Sequence, residues 1–379
     1  MRRFCLFAML AILWFTVPCN AQGTAAGTVH TYYVAADEVD WNYIPSGIDK
    51  MMNMDLAGYA KVFSEKGPHR IGNIYRKAVY REYTDETFTK LKPRGPEWEH
   101  LGILGPVLRA EVGDSIRVVF KNNATHPFSM HPHGVFYAKD SEGSGYDDGT
   151  QGSAKFGVPP GKTHVYNWQV PERAGPGPND PSSIVWLYHS HAEEPKDVES
   201  GLIGVILISK KGAAGATGRP KDVDREFVTL FMIIDENTSW YLQHNIDTYT
   251  SDPKGIQKLD VIPGDHEGNF SLFGSGFVGA NTKSTINGYQ YANLPMLKMK
   301  KDEHVRWYVV SLGEGFNVHT PHWHGNVVVK DGKRTDVILI GPAQMETVDM
   351  VPDDPGIWMF HCHIDEHMQA GMMARYQVE

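Results

Sequence analysis

Cysteine is scarce in this chain, long apolar runs are nearly absent, and acidic residues outnumber basic ones. Three cysteines occur in 379 residues, Cys5, Cys19 and Cys362. The first two fall in a leader-like start, where Arg2 and Arg3 precede an apolar run from Phe4 to Val17 and the small residue Ala21 closes the segment. That is the layout of a secretory signal. Residues 1–21 are therefore expected to be removed and the protein exported, to a periplasm or to the exterior. Cys19 raises a lipoprotein alternative, which Pro18 before it fits poorly. Cleavage leaves Cys362 alone, which excludes an internal disulfide; a single exported thiol must be buried, ligating or reactive. No other run approaches the ~20 apolar residues of a spanning helix. A formal charge of −9 argues against a nucleic-acid partner.

Pro and Gly punctuate short β-type runs instead: Val107–Val119, His164–Val170, Ile184–His189, Leu202–Ile208, Phe227–Ile234, His304–Val310, Asn326–Val329 and Ile357–Phe360. Long helical periodicity is missing, so an all-β chain of antiparallel sandwiches is expected. Lys210–Lys221, small, Gly-rich and basic, reads as a linker. It divides the mature chain into residues 22–209 and 222–379, and the two parts repeat one another. Phe128-Ser-Met-His-Pro-His-Gly134 matches His319-Thr-Pro-His-Trp-His-Gly325, and Ile184-Val-Trp-Leu-Tyr-His-Ser-His191 matches Gly356-Ile-Trp-Met-Phe-His-Cys-His363. Two copies of one sandwich are the simplest account.

Within these segments stand four His-x-His pairs: His131/His133, His189/His191, His322/His324 and His361/His363. On a strand, residues two apart share a face, so each pair offers two imidazoles to one place. One such pair is unremarkable; four, two per repeat, make a poor core and a good site for several copper ions. A second constellation follows. Cys362, His367 and Met372 are spaced by five and five, with His319 upstream, and a thiolate, two imidazoles and an axial thioether make a blue-copper electron-transfer site. Met373 fits that spacing less well. The first repeat has Phe128, Ser190 and Leu202 where the second has His319, Cys362 and Met372, so it keeps the histidine pairs and cannot build the blue-copper site.

These residues resemble the multicopper oxidases, and more narrowly their ceruloplasmin–hephaestin branch. Tyr80-Arg-Glu-Tyr-Thr-Asp-Glu-Thr-Phe88, Leu101-Gly-Ile-Leu-Gly-Pro-Val107 and Tyr188-His-Ser-His-Ala-Glu-Glu-Pro-Lys-Asp-Val-Glu-Ser-Gly-Leu-Ile-Gly204 carry the likeness over nearly the whole mature chain. The resemblance implies two cupredoxin-like Greek-key domains and four copper ions per chain. His319, Cys362, His367 and Met372 would form the type 1 centre, and His131 and His322 would hold the type 2 copper. His133, His189 and His363 would hold one type 3 copper, and His191, His324 and His361 the other. Asp148 resembles the acid such enzymes use to relay protons to oxygen, although an aspartate before Gly149 is also an ordinary turn residue. The larger relatives close a six-domain ring, and two-domain laccases close theirs by association. A homotrimer is therefore implied, with each cluster shared between the first domain of one subunit and the second domain of its neighbour.

The expected activity is one-electron oxidation of a small donor coupled to reduction of dioxygen to water. The donor expected on the sequence is of laccase type, a phenol or aromatic amine. The loop before Ile286-Asn-Gly288, where ferroxidase members place acids and histidine, has no Asp, Glu or His from Asn269 to Thr285, and carries Phe270, Phe273 and Phe277. Hard divalent cations prefer carboxylates. Asp365 and Glu366, next to His367, keep a metal-ion oxidase (ferroxidase or cuprous oxidase) open as the alternative. Copper nitrite reductase is disfavoured, since that family carries its blue copper in the first domain. A copper-binding scaffold decayed from an oxidase is disfavoured too, since none of the twelve expected ligands is missing. Met51-Met-Asn-Met54 reads as apolar filler. Cys362→Ser is expected to abolish the intense blue absorption of the copper-loaded protein, read directly in the visible spectrum.

Overall fold

The computed structural model describes residues 27–149, 156–257, 276–315 and 317–379. The leader expected at residues 1–21, with Cys5 and Cys19, and both Phe270 and Phe273 lie outside the described residues. The first half begins with β1 (Val29–Asn42), a small ribbon of β2 (Ile48–Asp49) and β3 (Met54–Asp55), and β4 (Ile74–Tyr83). Then come β5 (Leu108–Glu111), β6 (Ser115–Asn122), β7 (His131–Pro132), β8 (Phe136–Tyr137), β9 (Thr163–Gln169), β10 (Ser183–His189) and β11 (Ile203–Ser209). The second half contains β12 (Arg225–Asp235), β13 (Thr282–Ile286), β14 (Leu297–Met299), β15 (Val305–Ser311) and β16 (Pro321–Trp323). It ends with β17 (Val328–Lys330), β18 (Lys333–Thr335), β19 (Met345–Met350), β20 (Gly356–Cys362) and β21 (Met373–Val378).

Each half is a two-sheet sandwich of cupredoxin type. The first pairs a sheet ordered β4-β1-β6-β9-β8 with one ordered β5-β11-β10-β7; the second pairs β13-β12-β15-β19-β17-β18 with β14-β21-β20-β16. The repeat seen in the sequence is a repeat of topology. β1 runs parallel to β6 as β12 does to β15, and β5 runs parallel to β11 as β14 does to β21. The longest helix among the described residues is Leu242–Tyr249, and none is long and apolar enough to cross a membrane.

Two expectations about the chain path change. Val107–Val119 is two strands rather than one run, because the turn after Glu111 passes through Gly113 at φ 98°, a conformation that favours glycine. The turn sends β5 and β6 into opposite sheets. The Lys210–Lys221 segment is no free tether. The Ala214 N–H donates to Glu111 Oε1 at 2.6 Å, Arg109 donates to the Gly218 carbonyl at 3.1 Å, and Lys221 N–H closes on the Ala213 carbonyl at 2.9 Å.

Each sandwich has its own core, and a third apolar cluster joins them. It brings Val185, Leu187, Val205 and Leu207 of the first half against Val228, Leu230 and Met232 of β12 and Tyr308 and Val310 of β15. This is why β11 and β15 are buried along their whole length and read as continuous apolar runs, not alternating ones. Several polar groups buried in the seam are paired across it. Lys77 donates to Glu236 at 2.7 Å and to the Glu199 carbonyl, Tyr43 donates to the same Glu236 carboxylate, and Arg109 grips Glu226 through both terminal nitrogens. Lys77 and Glu236 are fully buried, so removing one partner strands a charge away from water. Lys77→Met is expected to lower stability by about 3–5 kcal/mol, with much of the loss recovered in Lys77→Met/Glu236→Met, as read from urea unfolding midpoints.

Candidate metal centres

Strand pairing assembles the histidines in the same way in both halves. β7 and β10 are antiparallel with His131 opposite His189, and β16 and β20 are antiparallel with His322 opposite His361. The second histidine of each pair follows two residues on along the same face. In the first half the rings of His131, His133, His189 and His191 lie 5.2–5.6 Å apart where they touch. In the second half His322, His324, His361 and His363 form the matching quartet, with contacts of 4.7–5.5 Å. The ring contacts of each quartet stay within its own half. The glycine after each first pair is required by both shape and backbone: Gly134 and Gly325 have φ 75° and 73°, and a Cβ there would strike Trp186 and Trp358 respectively.

Backbone carbonyls set the tautomers. A carbonyl only accepts, so His131 Nδ1 must donate to Glu142 at 2.7 Å, His322 Nδ1 to Asp336 at 2.9 Å, His189 Nδ1 to Ser190 at 3.1 Å and His361 Nδ1 to Cys362 at 2.8 Å. Each Nε2 is then left with a bare lone pair for a metal. Two of these Nε2 atoms each face the Nε2 of a second imidazole. His133 Nε2 is 3.1 Å from His189 Nε2, and His324 Nε2 is 3.0 Å from His361 Nε2. His191 differs. Its Nε2 pairs with Glu194 at 2.9 Å, and that carboxylate raises its pKa.

The thiolate constellation is assembled as well. Cys362 Sγ lies 3.6 Å from His367 Nδ1 and 3.9 Å from His319 Nδ1, and those two nitrogens are 3.2 Å apart. His319, Cys362 and Met372 are fully buried. The Met372 carbonyl accepts the Cys362 N–H at 3.1 Å, and Met373 goes on into β21. Asn317 Oδ1 accepts from His319 Nε2 at 3.1 Å, which turns Nδ1 toward the sulfur, and the Thr320 N–H points at Sγ from 3.4 Å. Burial pushes the Cys362 thiol up, holds His319 down at about 3 and holds His367 at about 4. His133 and His361 are likewise held at about 4 by burial. These imidazoles are neutral at pH 7 and need shed no proton to ligate; the thiol must. A soft sulfur with two imidazoles fits copper, and so do clustered imidazoles.

In the first half, the same backbone bond runs from the Ser190 N–H to the Leu202 carbonyl, also at 3.1 Å. A carboxylate stands in for a metal there. Asp197 accepts from Ser190 Oγ at 2.6 Å, from the Ala192 and Glu193 N–H groups, and from Trp240 Nε1 at 2.9 Å.

Sequence reasoning passed over Glu194, Glu142 and Asn317. Only Glu194, three residues after His191, had a spacing signal. Asp148 is held by Lys139 at 3.0 Å, and Lys139 also pairs with Glu142, whose carbonyl orients His131. Phe277 packs into the core joining the two sandwiches, as ordinary loop packing would have it. Of the methionines at 51–54, Met51 is half-buried, while Met52 and Met54 are not filler: the β2–β3 ribbon leaves them 67% and 54% exposed. Asp365 and Glu366 are exposed beside His367.

Cupredoxin sandwiches bearing a cysteine–histidine cluster and two histidine quartets carry the donor set that suits copper. Family models described as "Multicopper oxidase" match residues 101–213 and 266–379. "Ferroxidase HEPHL1" of Homo sapiens is 43% identical over 363 residues, covering 94% of this chain and 30% of that protein; human ceruloplasmin is 41% identical over 353 residues, covering 92% and 30%. The chain thus spans about 30% of the length of these relatives. Among solved structures, a copper nitrite reductase from Nitrosomonas europaea superposes with a TM-score of 0.57 at 17% identity, covering 93% of this chain and 94% of that one, a likeness of fold. The chain belongs to the multicopper oxidase family.

The depressed histidine pKa values give the metal-free protein a pH signature. An unfolded histidine titrates near 6.5, whereas His133, His319, His361 and His367 take up protons only near 3 to 4. Between those limits the unfolded state binds more protons, so stability falls as pH drops from about 6.5 toward 4. Urea midpoints of metal-free protein across that range are expected to show the decline.

Proposed function

We propose that this chain is a copper-dependent oxidase that takes single electrons from a small donor and uses them to reduce dioxygen to water. The observation that carries the reading is the placement of Cys362, packed against His319 and His367, between His361 and His363 of the quartet. The ligand assignment follows: type 1 at His319, Cys362, His367 and Met372, type 2 at His131 and His322, and type 3 at His133, His189, His363 and at His191, His324, His361. Copper held there would supply one-electron redox chemistry and dioxygen binding. The chain's own part is to carry electrons along the Cys362 backbone to both neighbouring imidazoles, to fix each ligating nitrogen through a carbonyl, and to hold Asp148 on Lys139 as the proton relay.

The donor we favour is a metal ion rather than the phenol expected on the sequence. Support comes from the likeness to a protein named a ferroxidase, and from the exposed carboxylates of Asp365 and Glu366 beside His367. A homotrimer with shared clusters is part of the proposal. The two quartets do not touch within the chain, and in the second His322 and His324 are half-buried and His363 exposed, leaving an open face for a neighbour. Export, read from the first 21 residues, would place the enzyme outside the cytoplasm.

One preparation tests the reading. Ferrous iron is expected to drive oxygen uptake with a higher kcat/KM than a phenol; the reverse order would return the donor to the laccase class. His131→Ala is expected to keep the blue colour and lose oxygen uptake. Mixing it with inactive His361→Ala under subunit exchange is expected to restore part of the uptake, since some neighbour pairs then combine two intact halves. Absence of any recovery would sink the shared cluster.

A further inference from the structure

Two of the largest side chains in the second sandwich carry a polar group with no partner. Trp307 and Trp323 are fully buried, and neither indole N–H has an acceptor. A buried indole N–H is ordinarily paired, because one left bare has lost its bond to water and gained nothing. Phenylalanine would fill much of the same space without that loss. A buried polar group left unpaired asks for a role, and redox chemistry is one such role.

Their positions suggest which. Trp323 lies between His322 and His324, and strand alternation turns its ring away from the quartet into the core. There it meets Trp307 at 5.7 Å and Phe360 at 5.0 Å. Trp307 also touches Phe360 at 5.1 Å; Phe360 touches Phe231 at 5.2 Å, and Phe231 stands 6.1 Å from His319. In the other direction Trp307 meets Phe227 at 4.8 Å, Phe227 meets His100 at 5.3 Å, and His100 meets Trp98 at 5.6 Å. Trp98 is half-buried and lines a cleft of about 690 Å³. An unbroken series of rings thus joins His319 to the cleft, and Trp323 ties that series to the quartet only through the backbone it shares with His322 and His324.

The first sandwich is an internal comparison. Phe227 sits opposite Trp307 in the β12–β15 register, and the matching pair of the β1–β6 register is Tyr32 opposite Val118. Trp323 has Pro132 as its counterpart. Only the half that carries Cys362 builds the tryptophan pair.

We propose that these rings are a one-electron relay that exports oxidising equivalents from the copper sites to Trp98 when the donor is scarce, where a small soluble thiol quenches them in the cleft. The proposal rests on the copper oxidase reading above. In an apolar box with no acceptor for its proton, an oxidised Trp307 or Trp323 stays a cation and recovers its electron without any proton transfer, so the charge moves on. His100 is a neutral bridge: burial holds its imidazole at about 4, and its Nε2 accepts the Val228 N–H. Trp98 differs in facing water. One electron leaves its ring inward, its indole proton goes to solvent, and the charge stops there. A thiol then returns one hydrogen atom, electron and proton together, and two of the resulting thiyl radicals couple as a disulfide. Arg109 stands 5.2 Å over the Trp98 ring, but its charge is offset by the paired Glu226 carboxylate.

The test is oxidation mapping on the copper-loaded full chain. Reduced protein is exposed to dioxygen in repeated cycles without donor or thiol, and peptide mass spectrometry reads oxidised tryptophan. Trp98 is expected to be modified severalfold more than Trp41, which lines the same cleft off the relay. Trp307→Phe and, as a second break in the ring series, Phe227→Leu are each expected to lower Trp98 modification severalfold while keeping the blue colour and donor-driven turnover; added thiol is expected to suppress it in the wild type. Equal modification of Trp98 and Trp41, or Trp98 modification unchanged in a folded blue variant, would overturn the relay. A copper-loaded protein that is colourless and inert would overturn the oxidase reading first, and the relay with it.

Discussion

A β-strand sends successive side chains to opposite faces, and nearly every feature of the metal-binding half follows from that alternation. His361 and His363 leave β20 and its end on one face while Cys362 leaves on the other, so three consecutive residues serve two different sites. The same geometry on β16 gives His322 and His324 to the open face and Trp323 to the core. Antiparallel pairing then sets His322 opposite His361, as it sets His131 opposite His189 in the first half. A one-residue slip would reverse every one of these assignments, which is why the inner residues Phe360, Trp323 and Tyr188 matter as much as the histidines.

The two halves use one frame for different ends. Around Cys362, burial and neutral imidazoles leave donor atoms facing one another with no counter-charge between them, an arrangement that makes sense around a bound cation. Around Ser190, a single carboxylate, Asp197, gathers a hydroxyl, two backbone N–H groups and an indole N–H, and the loop is held by hydrogen bonds alone. The loop beyond His191 is thereby fixed without a metal, and the first half can contribute imidazoles without an electron-transfer centre of its own.

Neither half stands apart from the other. The apolar seam, with Lys77–Glu236 and Arg109–Glu226 buried across it, ties the sandwiches into one unit, and it is strands β10, β11, β12 and β15 that are spent on the joint. The ring contacts of each histidine quartet stay on its own half, and each quartet keeps rings that are partly exposed.

Much of the site was legible in the sequence, because strand periodicity is local: His-x-His needs only two residues of extended backbone to put two rings on one side, and the repeat could be read by eye. The Cys362–His367–Met372 spacing was legible for the same reason, since one short loop spans it. Groups that reach these residues from elsewhere in the chain were not. Glu142 behind His131 and Lys139 on Asp148 each depend on a loop path that no pattern encodes. The exposure of Met52 and Met54 likewise depends on where the ribbon settles, and the break of Val107–Val119 into two strands on one turn at Gly113. By itself the sequence determined the all-β class, the duplication and the candidate ligands, since these rest on short-range periodicity. Only the tertiary structure decided which carbonyls reach His131 and His322, which tryptophans touch and how the halves are joined, because those contacts are made by residues that the chain path brings together from separate segments.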